Sequence, residues 1–231
     1  MASEGRVTGT GLWVSLGLVL LLQAGFELLP MRLPPATRMW LLGATRLLQT
    51  GAVFWAVRRF GGGVSSLGLS RAGLVSGLLR GVIWCFGFGA VAALGGLVLH
   101  FVHIDPFFPF RQPLPVSGPG HLLAYVTVGS LVAGLSEEVF FRGLVFGYLR
   151  RYGFLAALVA STLAFIAPHY LVSRGAAPLF QGLGGLLFAI AYEREKNLVP
   201  PMLLHAGGNF VLFALTIYFS GQYSWLARSL F

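Results

Sequence analysis

Two adjacent acids and an arginine interrupt an apolar stretch of the chain: Glu137, Glu138 and Arg142. No Asp, Glu, Lys or Arg occurs between Gln112 and Ser136. A charge at mid-membrane costs about 2.5–3.5 kcal/mol on insertion scales, so three unpaired charges would oppose insertion. On a helix, Glu138 and Arg142 share a face and can pair, whereas Glu137 points about 100° away. The spacing therefore predicts one acid tied to the arginine and a second acid free for another partner.

Two further apolar segments supply histidines and an asparagine. Phe165 and His169 lie on one segment, and His205 and Asn209 lie on one face of another. A carboxylate with a histidine can position and deprotonate a water, and a histidine with an asparagine amide can donate to a developing oxyanion. The set predicts hydrolysis of an amide or ester, most simply a peptide bond. One Glu with two His also matches a three-ligand zinc site, which is the alternative chemistry, although the HExxH motif is absent.

Helix geometry places these groups at one depth. Glu137 precedes the turn at 152–153 and His169 follows it, each by roughly 15 residues, so an antiparallel hairpin puts both about 20–24 Å from the turn. Asn209 lies about 20 Å from the turn at Lys196 by the same rise. The sequence predicts that six polar side chains from three membrane segments converge: Glu137, Glu138, Arg142, His169, His205 and Asn209.

The composition indicates the fold class. The chain has 231 residues, of which 56% are hydrophobic and 10% charged, whereas soluble domains carry about 25% charged residues. Its mean hydropathy is +0.80. The long apolar runs predict an all-α, polytopic transmembrane helical bundle of about seven to eight segments, and they argue against a β-barrel. The net charge of +9 rests on arginines between the apolar segments, where they anchor helices in the lipid bilayer, so no nucleic-acid partner is expected.

We expect a single integral-membrane domain over residues 1–231, with variable N-terminal helices in 1–120 and catalytic-core helices in 121–219. Seven segments have the approximate bounds Thr10–Leu29, Met39–Val57, Leu74–Val102, His121–Leu149, Phe154–Tyr170, Pro178–Tyr192 and Leu198–Phe219. The tail to Phe231 is expected to form an eighth, partial helix at most.

Three other features of the sequence are interpreted as packing or connecting elements. Small residues recur every fourth position from Gly73 to Ala93, which favours close helix packing. The charged residues 193–196 are interpreted as a solvated turn. The linker from His103 to Gly120 is rich in Pro and Phe and is interpreted as a flexible interfacial or re-entrant loop.

The three motifs, in this order on separate apolar segments, resemble the CPBP intramembrane protease family. This family is also called CAAX protease and bacteriocin-processing, or Abi, and it includes the type II CAAX prenyl endopeptidases. The resemblance covers about Ala124 to Phe213. The matches are Glu-Glu-x-x-x-Arg at Glu137, Glu138 and Arg142, Phe-x-x-x-His at Phe165 and His169, and His-x-x-x-Asn at His205 and Asn209.

The resemblance implies an intramembrane endopeptidase that cleaves near the C-terminus of a membrane-associated or lipidated protein or peptide substrate. It implies that Glu137 and His169 activate the water and that His205 and Asn209 form the oxyanion pocket. Glu138 and Arg142 would then hold the site together. No cofactor is expected from this mechanism, and zinc is the alternative.

Two other functions fit the same residues. One is a non-catalytic member of the family, such as a bacteriocin-immunity or scaffold protein that keeps the motifs for stability. The other is a transporter or proton relay, which the lack of inverted repeats disfavours. The sequence specifies no oligomeric state.

The distribution of basic residues predicts the orientation. With a cytoplasmic N-terminus, nine basic residues fall inside: Arg6, Arg58, Arg59, Arg71, Arg80, Arg150, Arg151, Arg194 and Lys196. Five fall outside: Arg32, Arg38, Arg111, Arg174 and Arg228. We expect a bacterial cytoplasmic (inner) membrane protein with its site beyond mid-membrane. That position suits trimming of an exported protein's membrane tail, as in the myxosortase branch of the family.

Overall fold

The computed structural model describes residues 6–30, 32–172, 179–222 and 224. Within these ranges the chain is helical and has no strand. Seven long helices in this part of the chain follow the predicted segments: α1 Gly9–Glu27, α2 Pro35–Phe60, α3 Leu74–Phe101, α4 Pro119–Tyr152, α5 Phe154–Val172, α6 Leu179–Glu195 and α7 Val199–Phe219. The predicted all-α bundle is therefore confirmed. The expected eighth helix falls largely on 223 and 225–231, outside the described residues.

Five of these helices are long and apolar enough to cross a membrane, namely α1, α3, α4, α5 and α7. The other two differ for separate reasons. α2 is long but carries four arginines, whereas α6 is only 17 residues long. The polar residues of α2 turn toward α1, because Arg46 Nη1 donates to Gln49 Oε1 at 3.0 Å and Gln49 Nε2 donates to the Val19 carbonyl at 3.1 Å.

α4 departs from regular α-helical geometry at two places. Thr127–Val132 and Val139–Phe146 form wider π-helical turns on either side of Ala133–Glu138. Between them, Gly134 brings the α4 backbone against α7, since a Cβ atom there would lie 2.7 Å from the Ala206 nitrogen. Such π-helical turns recur at functional sites, and here they flank the acid pair.

The predicted close packing of α3 applies to its first half. A Cβ atom on Gly77 would lie 2.8 Å from Val199 Cβ, and one on Gly81 would lie 2.6 Å from Leu203 Cδ1, so both glycines admit α7. Farther along, a Cβ atom on Gly89 would meet nothing within 4 Å. The small-residue repeat therefore marks a helix contact only where α3 faces the start of α7.

The interpretation of residues 193–196 as a solvated turn was wrong. Helix α6 runs through Glu195, and both of its terminal acids bind other helices. Glu193 pairs with Arg150 at the end of α4 and with Lys196, whose Nζ is 2.6 Å away. Glu195 accepts from Arg80 Nη1 of α3 at 2.5 Å. These ion pairs fasten the ends of α3, α4 and α6 together.

The linker after α3 also makes defined contacts, which corrects its interpretation as flexible. Asp105 accepts from the backbone N–H of Phe107 at 2.9 Å and from Arg111 Nη2 at 2.5 Å. These two donors hold the pKa of Asp105 below its usual value. The Phe107 ring stacks on Phe219 at the end of α7, with centroids 4.2 Å apart. The linker is thereby packed against α7.

Candidate active site

A buried carboxylate, Glu138, joins α4 to α7. Its Oε1 accepts from Arg142 Nη1 at 2.9 Å and lies 2.8 Å from His205 Nδ1. Glu138 and Arg142 are 0% exposed and His205 is 3% exposed. The predicted pairing of Glu138 with Arg142 is confirmed. Because an ionised carboxylate only accepts, Nδ1 of His205 carries a proton in this contact, and Nε2 is left to face the site.

Arg142 is surrounded by groups that stabilise a buried cation. Its Nη2 donates to the Gly185 carbonyl of α6 at 3.1 Å. Its Cζ lies 4.4 Å from the ring centroid of Phe165, 5.3 Å from that of Phe188 and 5.9 Å from that of Phe141. Desolvated cation–π contacts are worth about 2 kcal/mol or more. One carboxylate, one carbonyl and three aromatic rings thus offset part of the cost of burying this charge, while the buried Nε has no hydrogen-bond partner among the described residues.

Phe188 fixes the imidazole of His205. The two rings are stacked with centroids 4.7 Å apart and planes inclined by 16°, and Phe165 meets the same imidazole edge-on at 5.8 Å. The sequence analysis assigned no site residue to α6 and therefore missed both Phe188 and Gly185. These residues lie three positions apart, which puts a small residue beside an aromatic on one helix face.

Glu137 is the less buried of the two adjacent acids. Its side chain is 17% exposed, and its Oε2 lies 4.0 Å from His205 Nε2. Among the described residues, that buried oxygen has no hydrogen-bond partner. The adjacent acids therefore face opposite sides of one imidazole, with Glu138 at Nδ1 and Glu137 near Nε2.

His169 lies on the other side of Phe165. Its Nδ1 is 2.8 Å from the Phe165 carbonyl one turn earlier, and its ring centroid is 4.8 Å from that of Phe165. A carbonyl only accepts, so Nδ1 carries the proton and a neutral His169 presents Nε2 as a proton acceptor. Within the described residues, no hydrogen bond or ion pair joins Glu137 to His169. The ring nitrogen near Glu137 belongs to His205.

Asn209 reaches the first π-helical turn of α4. Its Nδ2 donates to the Gly129 carbonyl at 2.8 Å. A side-chain amide has a second N–H and an acceptor oxygen, so this contact orients Asn209 without exhausting its donors. His205 and Asn209 both contact α4 across the Gly134–Ala206 crossing, as expected for residues on one face of α7.

Residues 119–211 match the family model described as type II CAAX prenyl endopeptidase Rce1-like. The matched segment contains α4, α5, α6 and all of the site residues on α7. We call residues 119–211 the Rce1-like region because of this match. Neither the curated proteins nor the solved structures include a significant match to the chain. The Rce1-like region begins where α4 begins, so α1, α2 and α3 lie outside it.

The Rce1-like region is similar to a family of proteases and lies in apolar helices of an integral membrane protein. The three-ligand zinc site considered from the sequence stays an untested alternative. In the described part of the chain, no group of three or more His, Cys, Asp or Glu side chains is placed to hold a metal ion.

Proposed function

We propose that this protein is an intramembrane endopeptidase that hydrolyses a peptide bond near the C-terminus of a membrane-associated or lipidated protein. The observation that carries the proposal is the Glu137 Oε2 atom, which is buried, without a hydrogen-bond partner among the described residues, and 4.0 Å from an oriented imidazole nitrogen. An unpaired acid in an apolar site opposes folding, whereas a general base needs a free carboxylate. The match to an Rce1-like protease family supports the reaction class.

The proposed reaction begins with water activation. Glu137, assisted by His169, removes a proton from a water, whose oxygen forms a bond to the substrate carbonyl carbon. The carbonyl oxygen becomes an oxyanion, to which His205 Nε2 and the second amide N–H of Asn209 donate. The C–N bond then breaks, and the proton held by Glu137 passes to the departing amine. The products are a carboxylic acid and an amine, between which the remaining proton then passes to give a carboxylate and an ammonium group, and the proposed steps require no metal.

Charge balance supports the role of His205 as an oxyanion donor. Glu137 and Glu138 carry two negative charges, while Arg142 carries one positive charge. Because Nδ1 contacts Glu138, the proposed donation from Nε2 requires an imidazole with a proton on both nitrogens, whose charge would offset one of the two carboxylates. His205 then presents an N–H at Nε2. When water activation moves a proton to Glu137, the imidazolium charge compensates the oxyanion that forms.

The roles proposed for Glu138 and Arg142 are positioning roles. Glu138 orients His205 through the 2.8 Å contact to Nδ1, and Arg142 holds Glu138 from the other side. In this arrangement Glu137 performs proton transfer while Glu138 sets the geometry. The two neighbouring carboxylates therefore have different functions because their partners differ.

The test is a comparison of membrane-protein termini, by mass spectrometry, between cells that express the natural chain and cells that express Glu137→Gln. Replacing a general base is expected to reduce product formation by at least about 100-fold. Glu27→Gln is the matched control, since Glu27 is an acid on α1 with a side chain 61% exposed. Membrane levels of all three proteins are measured in the same samples. Termini that persist unchanged with Glu137→Gln would contradict the proposal.

A second candidate function is a non-catalytic member of the family, such as a bacteriocin-immunity or scaffold protein. The contacts of His205 with Glu138 and of Asn209 with Gly129 favour it, because both fasten α7 to α4. If the protein is non-catalytic, Glu137→Gln leaves the cellular phenotype unchanged, while Glu138→Gln lowers the amount of folded protein. An endopeptidase is expected to lose function in both variants.

We propose that the protein lies in a bacterial cytoplasmic membrane with its more basic end inside. The excess of basic residues at the ends of α2, α4 and α6 supports this orientation. Arg71→Cys and Arg111→Cys, at opposite ends of the bundle, test it with a membrane-impermeant maleimide on intact cells. Labelling at position 111 but not at 71 is expected, and the reverse pattern would refute the orientation.

A further inference from the structure

A polar cavity of about 710 Å³ lies at the basic end of the bundle, away from the catalytic cluster. It forms where α1 begins, α4 turns into α5 and α6 turns into α7. Its size falls within the roughly 300–1,000 Å³ typical of ligand sites. The polar groups that line it include Arg6, Arg150, Arg151, Lys196, Ser70 and Asn197. We propose that this cavity binds a phosphate-bearing anion, either the headgroup of an anionic phospholipid or a soluble phosphate compound.

The charges around the cavity favour an anion. Four cationic side chains line it against two carboxylates, Glu193 and Glu195. Glu195 is already paired with Arg80, which lies outside the lining. Among the described residues, no carboxylate pairs with Arg6 or Arg151. The cavity therefore keeps positive charge that its own acids leave uncompensated, and this charge attracts an anion.

Arg151 is held in place by groups that do not neutralise it. Its Nη2 donates to the Val7 carbonyl at 2.5 Å, and its Nε donates to the Tyr148 carbonyl at 2.9 Å. Its Cζ lies 3.9 Å from the centroid of the Tyr148 ring. A guanidinium fixed by carbonyls and an aromatic ring retains its full charge and its planar geometry. Such a group is well suited to phosphate recognition.

Gly68 and Ser70, which also line the cavity, are held by local backbone contacts. Gly68 has φ +80°, and a Cβ atom there would lie 2.8 Å from Tyr192 Cε2, so only glycine fits. Its carbonyl accepts from Leu198 N at 3.0 Å. Ser70 Oγ accepts from Gly73 N at 3.1 Å, which leaves the hydroxyl proton available to an anion. The cavity thus adds a neutral donor to its cations.

The backbone conformation of Lys196 is a further sign that this cavity has a function. Its φ of +50° is in the left-handed region, at the end of α6 where glycine is the usual residue. Its Nζ lies 2.6 Å from Glu193 on the cavity wall. A lysine in this conformation is uncommon, and such positions recur at functional sites. The chain keeps a cation at the cavity where glycine would be less strained.

The experiment measures thermal unfolding of the purified full-length protein in neutral detergent, with three probes added separately. The probes are dioleoyl-phosphatidylglycerol, dioleoyl-phosphatidylcholine and inorganic phosphate. A lipid site predicts a concentration-dependent rise in the unfolding temperature with phosphatidylglycerol alone, whereas a soluble-phosphate site predicts the rise with inorganic phosphate. No rise with either anionic probe, or an equal rise with phosphatidylcholine, would overturn the proposal. The measurement does not depend on peptide cleavage.

Variants test whether the rise in the unfolding temperature comes from binding in this cavity. Arg6→Gln with Arg151→Gln is expected to raise the half-saturating concentration of the active probe at least tenfold. Arg58→Gln with Arg71→Gln removes the same charge at the same end of the bundle but outside the cavity, and less than a twofold change is expected. Ser65→Asp adds a negative charge at the exposed rim without removing a contact of Arg6 or Arg151, and it should weaken binding even if the double variant fails to fold. Equal effects inside and outside the cavity would refute the assignment.

Discussion

Glu138→Leu should destabilise the protein strongly because it leaves a buried arginine without its counter-ion. Glu138 accepts two charge-assisted hydrogen bonds, from Arg142 at 2.9 Å and from His205 at 2.8 Å. Hydrogen bonds to charged groups contribute about 1.5–3 kcal/mol each. Removing one partner of a buried ion pair costs about 3–5 kcal/mol. We therefore expect a loss of about 3–5 kcal/mol in the free energy of unfolding.

A double-mutant cycle adds two further proteins, the single variant Arg142→Met and the double variant that combines it with Glu138→Leu. Leucine and methionine have apolar side chains that suit the surrounding phenyl rings, so the double variant carries no unpaired charge. It should be more stable than Glu138→Leu by about 2 kcal/mol, although the His205 nitrogen still lacks an acceptor. Reversible unfolding in mixed micelles with increasing SDS, followed by circular dichroism, gives the four free energies.

Additive losses in the free energy of unfolding would refute the coupling between Glu138 and Arg142. If the double variant loses the sum of the two single losses to within about 0.5 kcal/mol, Glu138 and Arg142 are not coupled. The charge balance proposed for His205 would then lose its physical basis. A coupling of 2 kcal/mol or more would support a compensated pair that orients the imidazole.

Three further predictions concern packing, catalysis and pH. Gly134→Ala should separate α4 from the facing α7 backbone and cost about 1–3 kcal/mol, whereas Gly87→Ala, whose added Cβ meets nothing within 4 Å, should not destabilise; thermal unfolding compares them. Asn209→Ala should cost less than about 2 kcal/mol of stability but reduce cleavage about 100-fold; parallel losses in both assays would assign it a packing role alone. The pKa of Asp105 is lowered in the folded state, so its contact with Arg111 should be complete at pH values above the ordinary carboxyl pKa and be lost as the pH falls through the folded pKa. Limited proteolysis of the linker should therefore increase as the pH falls through that range. Asp105→Asn should abolish this pH dependence.

Local helix geometry explains why part of the site is visible in the sequence. The contact between Glu138 and Arg142, and the shared face of His205 and Asn209, both depend on residues four positions apart. Such pairs meet wherever the segment is helical. The apolar runs likewise predicted each long helix, because a helix must satisfy its backbone within lipid.

Contacts between helices could not be predicted in the same way. The resemblance paired Glu137 with His169, whereas the described structure brings Glu137 near His205. The π-helical turns of α4 that flank the acid pair also have no counterpart among the sequence motifs. Phe188 was missed for a related reason: an aromatic in an apolar helix has no distinctive signal until the buried guanidinium of Arg142 lies beside it.

The polar residues of α2 bear on how the protein is built in the cell. A helix that carries Arg46 and Gln49 near its centre enters the lipid bilayer unfavourably by itself, because polar and charged side chains are costly in the apolar core. Its glutamine finds an acceptor on the Val19 carbonyl of α1. The first two helices should consequently leave the insertion machinery as a hairpin, and a nascent chain that lacks α1 should stall or be degraded before α3 is made.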